Sequence, residues 1–505
     1  MDATTQSTAL LPDAGAATLA EQLASMLGER IRQRLLAPGA RLPSVREGAS
    51  RYGVSPSTVV SAYDRLQAQG LVVARPQRGF FVREPVVPAA RQRPASRGVA
   101  GAADTNESLG TNDATHSPDA RVAPLDATAL IRGMFQARHR HGAPGSGMLP
   151  ESWLDATLLQ RALRRVSSSA PERWLSYGDP AGDPGLREAL ARRLADLGVR
   201  AAPAQIVTTA GATHALDVVA RTLLAPGDAV LVDEPGWGVE FARLTRLGMR
   251  LLPVPRGPDG PDLAVMEQLA RAHRPRLYVT VPVLHNPTGQ SLAAASAHQL
   301  LLLAARHDFM VVEDDTYAWL APPHAPRVAQ LDGLERTVYV SGFSKFLVPQ
   351  WRVGFVAASP ALAHRLVDTK LLSTLTTPAT LEQALAWCLE QGALRRHGER
   401  LNAQLAAARA RCVKAAREAG FAFATPPQGL FGWLDVGIDT DRAAQQLLDE
   451  GWLCAPGSLF HAVPRPSPFM RVNFAAALDP RWWQSLQRVR GSGRMSRPRA
   501  TSVHT

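Results

Sequence analysis

The stretch Ser341-Gly-Phe-Ser-Lys345, followed seven residues later by Arg352, decides how this 505-residue chain is interpreted. Lys345 is one of only three lysines among 56 basic residues, so a lysine in this Ser/Gly-rich turn calls for an explanation. A lysine amine forms a Schiff base with a carbonyl group, which a guanidinium cannot do at neutral pH. A lone lysine after a strand is more often an ordinary surface ammonium, and the neighbouring segments decide between the two interpretations.

Three segments with the composition of buried β-strands lead to polar residues. Residues 277–283 run into a turn that contains Asn286, residues 309–314 end in carboxylates, and residues 337–341 lead to Lys345. Such runs of apolar and β-branched residues, bounded by turn residues, are typical of strands. Ligands bind at the carboxyl ends of strands in open α/β sheets. The sequence therefore predicts one site at these strand ends.

The polar groups at the predicted strand ends suit a pyridine ring. A carboxylate such as Asp314 keeps a pyridine nitrogen protonated, so that the ring withdraws electrons. Asn286 and Tyr317 are donors suited to the ring's phenolate oxygen. Together with an amine at Lys345 and a cation at Arg352, these residues predict a site for pyridoxal 5'-phosphate (PLP).

These motifs resemble those of the fold-type I, aspartate-aminotransferase-like domains, and the resemblance extends over residues 124–490. It implies an α/β domain of the PLP-dependent transferase type with a mainly parallel central sheet. It also implies that Lys345 forms the Schiff base with PLP and that Asp314 pairs with the pyridine nitrogen. Asn286 and Tyr317 are then expected to hold the ring hydroxyl.

The same resemblance assigns the phosphate of PLP to Arg352 and Ser344. The segment from Thr209 to Leu216 resembles the strand-to-helix turn whose backbone N–H groups, here around Gly211 and Ala212, cradle that phosphate. The family usually has a hydroxyl residue three positions before the lysine, where this chain has Gly342. Because Ser341 stands one position earlier, we expect a slightly rearranged phosphate shell that includes it.

Three further residues match positions with known tasks in the family. Trp237 stands where an aromatic ring stacks on the pyridine. Tyr177 matches the tyrosine that reaches the phosphate of the neighbouring subunit, which implies a homodimer. Arg471 matches the arginine that binds a substrate α-carboxylate through two parallel hydrogen bonds.

The N-terminal region has a different pattern. Apolar residues from Leu19 to Leu35 recur at helical spacing, and a helix-turn-helix pattern follows over residues 38–66. Ser55 is a natural N-cap and Pro56 a favoured first helical residue. Gly48 interrupts the predicted second helix, where glycine costs about 1 kcal/mol relative to alanine.

Residues 70–82 contain two apolar strands around a Pro/Gly turn that bears arginines, which completes a winged helix-turn-helix pattern. The Leu-Pro-Ser-Val-Arg stretch ending at Arg46 and the Gly-Phe-Phe-Val stretch at 79–82 resemble GntR-type modules. With the aminotransferase-like region behind it, the whole chain resembles a MocR-type transcriptional regulator. We predict a DNA-binding domain at 14–83, a flexible linker at 84–123 and the PLP domain at 124–490.

Basic charge concentrates in the N-terminal module. Ten arginines and four acidic residues lie between residues 21 and 83, within a chain whose formal net charge is +12. Positive charge on a helix-turn-helix with a wing favours DNA binding. The candidate contacts are Arg46, Ser57 and Thr58 for bases or backbone, and Arg75 and Arg78 of the wing for the minor groove or phosphates.

Composition agrees with a chain that buries a sizeable core, because 46% of the residues are hydrophobic and no stretch approaches the length of a membrane span. The three cysteines, Cys388, Cys412 and Cys454, are widely spaced, which suggests neither a disulfide framework nor a metal site. We expect no signal peptide at the N-terminus. The expected location is the cytoplasm.

Three functions remain open at this point. In the first, the PLP domain senses PLP or a small amino compound and controls operator binding. In the second, the chain is a working PLP-dependent aminotransferase with an accessory DNA-binding module. In the third, the large domain is a dimerisation platform without a cofactor. We favour the regulator, because a DNA-binding module has no role in amino-group transfer.

Overall fold

The structure is a computed structural model, and the chain divides into two compact units, residues 1–125 and 126–505. It describes residues 17–32, 35–36, 38–75, 77–83, 131–132, 141–168, 175–322 and 324–495. The predicted linker, residues 84–123, lies outside the described residues.

The described residues of the first unit form three helices and a two-stranded sheet. Their bounds are α1 (Leu19–Arg32), α2 (Val45–Tyr52), α3 (Pro56–Ala68), β1 (Val72–Arg75) and β2 (Gly79–Val82). The strands pair antiparallel, with Val72 opposite Val82 and Arg75 opposite Gly79. The predicted winged helix-turn-helix is confirmed.

Local chemistry sets the ends of the two helices of the helix-turn-helix. A capping box joins Ser44 and Glu47 at the start of α2, and Gly53 ends this helix with a left-handed φ of 64°. The Ser55 side chain accepts a hydrogen bond from the Thr58 amide, and Pro56 occupies the first turn of α3. Ser55 is thus the N-cap of α3 and Pro56 its first residue, as the sequence predicts.

Gly48 lies in the helix interior for a packing reason. A β-carbon at this position would lie 3.1 Å from Cγ1 of Val59 and 3.4 Å from the hydroxyl of Tyr63. Glycine therefore lets α2 approach α3 closely, which offsets its poor helix propensity. The predicted apolar face of α1 is also present, except that Leu19, the first residue of the helix, is 52% exposed.

The other helices and strands of the described residues belong to the second unit. Its helices are α4 (Ala156–Ser167), α5 (Pro184–Asp196), α6 (Ala212–Leu223), α7 (Gly238–Arg246), α8 (Leu263–His273), α9 (Ala294–His307), α10 (Val328–Asp332), α11 (Pro360–Leu371), α12 (Ala379–Glu390), α13 (Ala393–Glu418), α14 (Thr440–Asp449) and α15 (Pro480–Met495). Its strands are β3 (Ile206–Thr209), β4 (Ala229–Glu234), β5 (Arg250–Gly257), β6 (Gly260–Pro261), β7 (Leu277–Thr280), β8 (Met310–Asp314), β9 (Thr337–Gly342), β10 (Gly354–Ala357), β11 (Ala422–Phe423), β12 (Phe431–Asp435), β13 (Ala455–Pro456) and β14 (Phe469–Asn473).

Eight of these strands form the central sheet, in the order β3-β10-β9-β8-β7-β4-β5-β6. The five strands from β9 to β5 are parallel, whereas β10 is antiparallel to β9 and β3, and β6 is antiparallel to β5. The mainly parallel sheet is as predicted. The remaining four strands form an antiparallel sheet in the order β11-β12-β14-β13.

Helices cover both faces of the central sheet. Alternate residues of β4 face opposite sides: Val230 and Val232 belong to one apolar cluster, with α6, α7 and α11, while Leu231 belongs to another, with α8 and α9. A sheet buried on both faces needs apolar residues at consecutive positions, which explains the unbroken apolar runs in the sequence. Among the described helices, none is long and apolar enough to cross a membrane.

Candidate functional site

The carboxyl ends of the parallel strands surround a cavity of about 440 Å³. Strands β8 and β9 place Asp314 and Lys345 at this edge, and the turn after β7 adds Asn286. The cavity also contains Trp237, Ala212, Tyr317, Ser344, Arg352 and Arg471 from the predicted set. Residues more than 250 positions apart thus meet in one site.

Lys345 is partly buried in this cavity. Its Nζ donates to the carbonyl of Gly147 at 2.9 Å and lies 3.8 Å from the sulfur of Met148. Burial and the positive charge of Arg471 lower the pKa of Lys345 to about 8. A much larger fraction of the amine is therefore neutral at pH 7 than for an exposed lysine, and only a neutral amine attacks a carbonyl.

Asp314 is buried at the end of β8, and its carboxylate accepts hydrogen bonds from the amide and hydroxyl of Thr316. Burial raises the pKa of Asp314 to about 7, against the opposing effect of the Thr316 hydrogen bonds. Tyr317 lies close to it, edge-on to the ring of Phe431 at 5.7 Å. Burial raises the pKa of Tyr317, so its hydroxyl remains a donor near neutral pH.

Arg352 lies at the N-terminus of α6, where it donates to the Ser344 hydroxyl at 3.0 Å and to the Ala210 carbonyl at 3.1 Å. Gly211 caps this helix with a φ of 87°, and any side chain there would collide with the Arg352 guanidinium. The backbone of Arg352 has a φ of 52°, a left-handed conformation that residues other than glycine rarely adopt. A helix N-terminus, a guanidinium and a hydroxyl make an anion cradle.

Arg471 occupies another wall of the cavity and is only 5% exposed. Its guanidinium donates to Oδ1 of Asn286 at 2.9 Å and to the carbonyl of Gly145 at 2.6 Å. The rings of Phe431 and Phe460 lie 4.5 and 5.1 Å from its Cζ atom. Burial lowers the pKa of Arg471 to about 10, which leaves it positively charged at pH 7. Such a guanidinium is well suited to a carboxylate.

Three of the predicted cofactor residues do not line the cavity: Ser341, Tyr177 and Gly211, which caps α6 beside Arg352. Ser341 is buried and does not line the described cavity, because its hydroxyl donates to the carbonyl of Asp315 at 2.8 Å. Gly342 lines the cavity in its place. Tyr177 is 81% exposed and also lies outside the cavity lining.

The donor set fits PLP by its chemistry. The cavity joins an amine with a lowered pKa, a buried carboxylate, and an anion cradle at a helix N-terminus. The cradle requires glycine at position 211, which leaves room for the Arg352 side chain. Amine, carboxylate and anion cradle are the three groups that an aldehyde, a pyridine nitrogen and a phosphate require.

Sequence reasoning missed the residues that close the cavity from other segments. Gly147 and Met148 contact Lys345, Phe431 and Phe460 lie beside Arg471, and Leu459 lines the same cavity. Each is an apolar or glycine residue without a motif of its own. The sequence of residues 142–147 predicts an ordinary loop, and nothing in it indicates the contact with Lys345.

The exposed side chains of the first unit include Arg46, Arg75 and Arg78. Arg46 lies in the first turn of α2, and the Arg75 guanidinium lies 4.8 Å from the ring of Phe81. The hydroxyls of Ser57 and Thr58 both lie 2.8 Å from the Ser55 hydroxyl in the N-cap of α3.

Sequence reasoning also missed a third strand-like segment in the wing. The amide of Leu42 donates to the carbonyl of Phe80 at 2.8 Å, and the amide of Val82 donates to the carbonyl of Ala40 at 2.8 Å. This pairing brings the exposed Arg41 guanidinium beside Gly79, within 3.3 Å of where a β-carbon would lie. Arg41 therefore extends the basic surface of the wing.

Known proteins of one family contain both the DNA-binding unit and the aminotransferase-like unit. The pattern described as "Bacterial regulatory proteins, gntR family" matches residues 19–82, and "Aminotransferase class I and II" matches residues 145–486. The regulator YdcR of Escherichia coli is 30% identical over 482 residues, which cover 93% of this chain and 97% of YdcR. The chain belongs to the MocR-type GntR family of transcriptional regulators.

Other MocR-type and aminotransferase proteins agree with this assignment. The probable rhizopine catabolism regulatory protein MocR of Rhizobium meliloti is 32% identical over 384 residues, 74% of this chain and 73% of MocR. The crystal structure of LysN, an α-aminoadipate aminotransferase from Thermus thermophilus, superimposes with a TM-score of 0.65 at 25% identity. That match covers 72% of this MocR-type chain and 94% of LysN. The fold of the large unit is therefore fold type I.

Proposed function

We propose that this regulator binds PLP in the cavity of its large unit, accepts a small amino compound there, and changes its affinity for operator DNA in response. The observation that carries the proposal is the assembly of Lys345, Asp314, Arg352 and Arg471 around one cavity in a chain with a GntR module. The LysN structure, which is complexed with N-(5'-phosphopyridoxyl)-L-leucine, supports the cofactor.

Five residues of the chain would hold the aldehyde and the ring of PLP. Lys345 would bind its aldehyde carbon, Asp314 its ring nitrogen, and Asn286 with Tyr317 its ring hydroxyl. Trp237, which lines the same cavity, would stack on the ring. When bound, PLP supplies an aldehyde that condenses with amines and a pyridinium ring that withdraws electrons.

The phosphate of PLP would lie in the cradle formed by Arg352, Ser344, and the backbone around Gly211 and Ala212. Ser341 would support this cradle indirectly, since its hydroxyl donates a hydrogen bond to the backbone carbonyl of Asp315. Arg471 would bind a carboxylate on the amino compound, because its guanidinium is buried and charged.

A homodimer is part of the proposal. Large apolar side chains are exposed in two segments of the large unit: Leu175 is 90% and Tyr177 81% exposed, and Leu372 is 92% and Leu375 49% exposed. The two segments lie near each other, because a β-carbon added at Gly178 would lie 3.2 Å from Cβ of Ala379 and 3.6 Å from the carbonyl oxygen of Thr377. A second copy covering them would remove this apolar surface from water and bring Tyr177 to the partner's phosphate cradle.

DNA is the proposed partner of the first unit. Arg46, with Ser57 and Thr58, would contact the major groove or its backbone, and Arg75 and Arg78 would contact the flanking phosphates or minor groove. A protein that binds operator DNA acts in the cytoplasm of a bacterium. The division at 14–83, 84–123 and 124–490 remains our proposal for the domain bounds.

Amino-group transfer is the second candidate, because Lys345 and Arg471 are also what a transaminase requires. A 2-aminoadipate transaminase of Thermus thermophilus is 29% identical over 328 residues, but these cover only 62% of this chain. The regulators match over the DNA-binding unit as well. We therefore favour ligand sensing over turnover.

A mobility-shift titration of the full-length protein on its own upstream DNA tests the proposal. Titrations at one fixed salt concentration, with unrelated competitor DNA, are compared with and without PLP. Specific binding whose midpoint changes at least about fivefold with PLP, or with PLP and an amino compound, supports the regulator. No specific binding, together with repeated turnover of an amino acid and a 2-oxo acid, supports the enzyme.

A further inference from the structure

We infer that the amino compound recognised by this cavity is a neutral α-amino acid with an apolar side chain. The inference rests on the proposed function and names the chemical class of its effector. It begins from the distribution of charge around the cavity. Among the described residues, four charged side chains line it: Asp314, Lys345, Arg352 and Arg471.

Each of these four charges already has a partner under the proposed function. Arg352 and Asp314 face the phosphate and the ring nitrogen, and Lys345 faces the aldehyde. Arg471 remains for one carboxylate. An effector with a second carboxylate would find no further cation among the described lining residues, and one with a second ammonium would find no further acid.

The cavity also has an apolar wall, formed by Ile131, Val239, Leu459 and Phe460. Separate segments contribute to this wall, and the amide of Gly236 joins two of them by donating to the carbonyl of Phe460 at 2.9 Å. The wall is thus a built surface of the fold.

The position of Phe460 connects the wall to the carboxylate site. Its ring lies 5.1 Å from Cζ of Arg471 and packs edge-on against Trp433, with ring centroids 5.3 Å apart. Because Trp433 in turn stacks on Phe469 at 5.7 Å, the ring of Phe460 is held in place. An α-amino acid whose carboxylate pairs with Arg471 therefore lies beside the Phe460 ring of the apolar wall.

Such a surface discriminates by polarity. A charged group that loses water against the wall without a partner is strongly disfavoured. An apolar side chain gains affinity for each methylene that it buries, typically about 10- to 200-fold in a fitted pocket. Leucine and aspartate differ little in shape, because the two methyl groups of one replace the two carboxylate oxygens of the other. Their comparison isolates the effect of charge.

The test is isothermal titration calorimetry on the full-length protein saturated with PLP, at one pH and salt concentration. The probes are L-leucine, L-aspartate, L-alanine and 3-methylbutylamine, which is leucine without its carboxylate. We expect L-leucine to bind at least about tenfold more tightly than each of the other three. PLP saturation is measured separately from its absorbance.

A paired variant tests the wall itself. Leu459→Arg adds a cation to the wall, so we expect the preference for leucine over aspartate to fall at least about tenfold. Leu459→Met is the matched control, because it keeps the volume and polarity of the wall and is expected to keep the preference. The wild-type comparison decides the inference if Leu459→Arg fails to fold.

The outcomes separate the inference from the proposed function. Equal or tighter binding of L-aspartate, L-alanine or 3-methylbutylamine overturns the inference, while PLP binding keeps the proposed function. PLP binding with no amino compound bound also overturns the inference. Failure to bind PLP at all overturns both.

Discussion

The arginines on the surface of the first unit and Arg471 of the cavity occupy opposite environments. Arg46 and Arg78 are exposed, whereas Arg471 is 5% exposed, with its Cζ atom 4.5 Å from the ring of Phe431 and 5.1 Å from that of Phe460. Exposed charges attract a polyanion over a distance and are screened by salt. A buried guanidinium acts at contact distance on one ligand group. Under the proposed function, one chain would use arginine side chains both for affinity toward DNA and for selection of a small molecule.

The largest effect is expected in the cavity, on the covalent capture of PLP. Lys345→Ala should abolish covalent PLP capture completely, because the other two lysines lie outside the cavity. The measurement is borohydride reduction followed by peptide mass analysis. Lys414→Ala is the control, since Lys414 is 70% exposed on α13. PLP fixed equally to the Lys345→Ala protein would contradict the assignment.

A second large effect is expected at Arg471. Arg471→Gln should weaken binding of a carboxylate-bearing amino compound by roughly a hundredfold or more, because a charge-assisted pair in a desolvated site is lost. Binding of an amine without a carboxylate should change much less. The measurement is calorimetry with both probes, with Arg488→Gln, an arginine 62% exposed, as control. An equal loss for both probes would exclude the carboxylate contact.

A moderate effect follows from the pKa of Lys345. Burial lowers this pKa to about 8, so the neutral, reactive fraction of the amine grows about tenfold per pH unit below pH 8 and levels off above it. The initial rate of PLP capture by the cofactor-free protein should follow the same curve. Stopped-flow absorbance between about pH 6 and pH 9.5 measures it. A rate that still rises steeply at the upper end of this range would mean an ordinary lysine.

The smallest effect is expected on DNA affinity, from the exposed arginines of the wing. Replacement of Arg75 and Arg78 by alanine should weaken binding to specific and unrelated DNA alike, by about three- to tenfold at moderate salt. The slope of log affinity against log salt should fall by about 2, since each phosphate contact contributes about 0.9. Fluorescence anisotropy across a salt series measures both. Arg32→Ala, which removes an exposed arginine of α1 that pairs with Glu29 at 3.2 Å, should leave the slope unchanged.

The two regions also differ in how much their sequences predict. The helix-turn-helix is determined by local features, of which the Ser55 N-cap and the first-turn Pro56 were predictable residue by residue. The strand ends around Lys345 and Asp314 were predictable because parallel strands bring their carboxyl ends together.

The closure of the cavity was not predictable from local features. The contact of Lys345 with Gly147 joins residues 198 positions apart, and that of Arg471 with Gly145 joins residues 326 positions apart. Neither glycine has a side chain that would indicate a contact. The segment at 39–42 beside the wing was missed for a similar reason, since only backbone groups form the pairing.

The central claim is that the cavity and the DNA-binding surface are thermodynamically coupled. The most direct test is the affinity of the PLP-loaded protein for L-leucine, measured with and without saturating operator DNA, beside its operator affinity with and without L-leucine. Coupling requires the two ratios to agree, and we expect a factor of about 5 to 150. Ratios of 1 in both experiments, with PLP, leucine and operator all bound, would contradict the account.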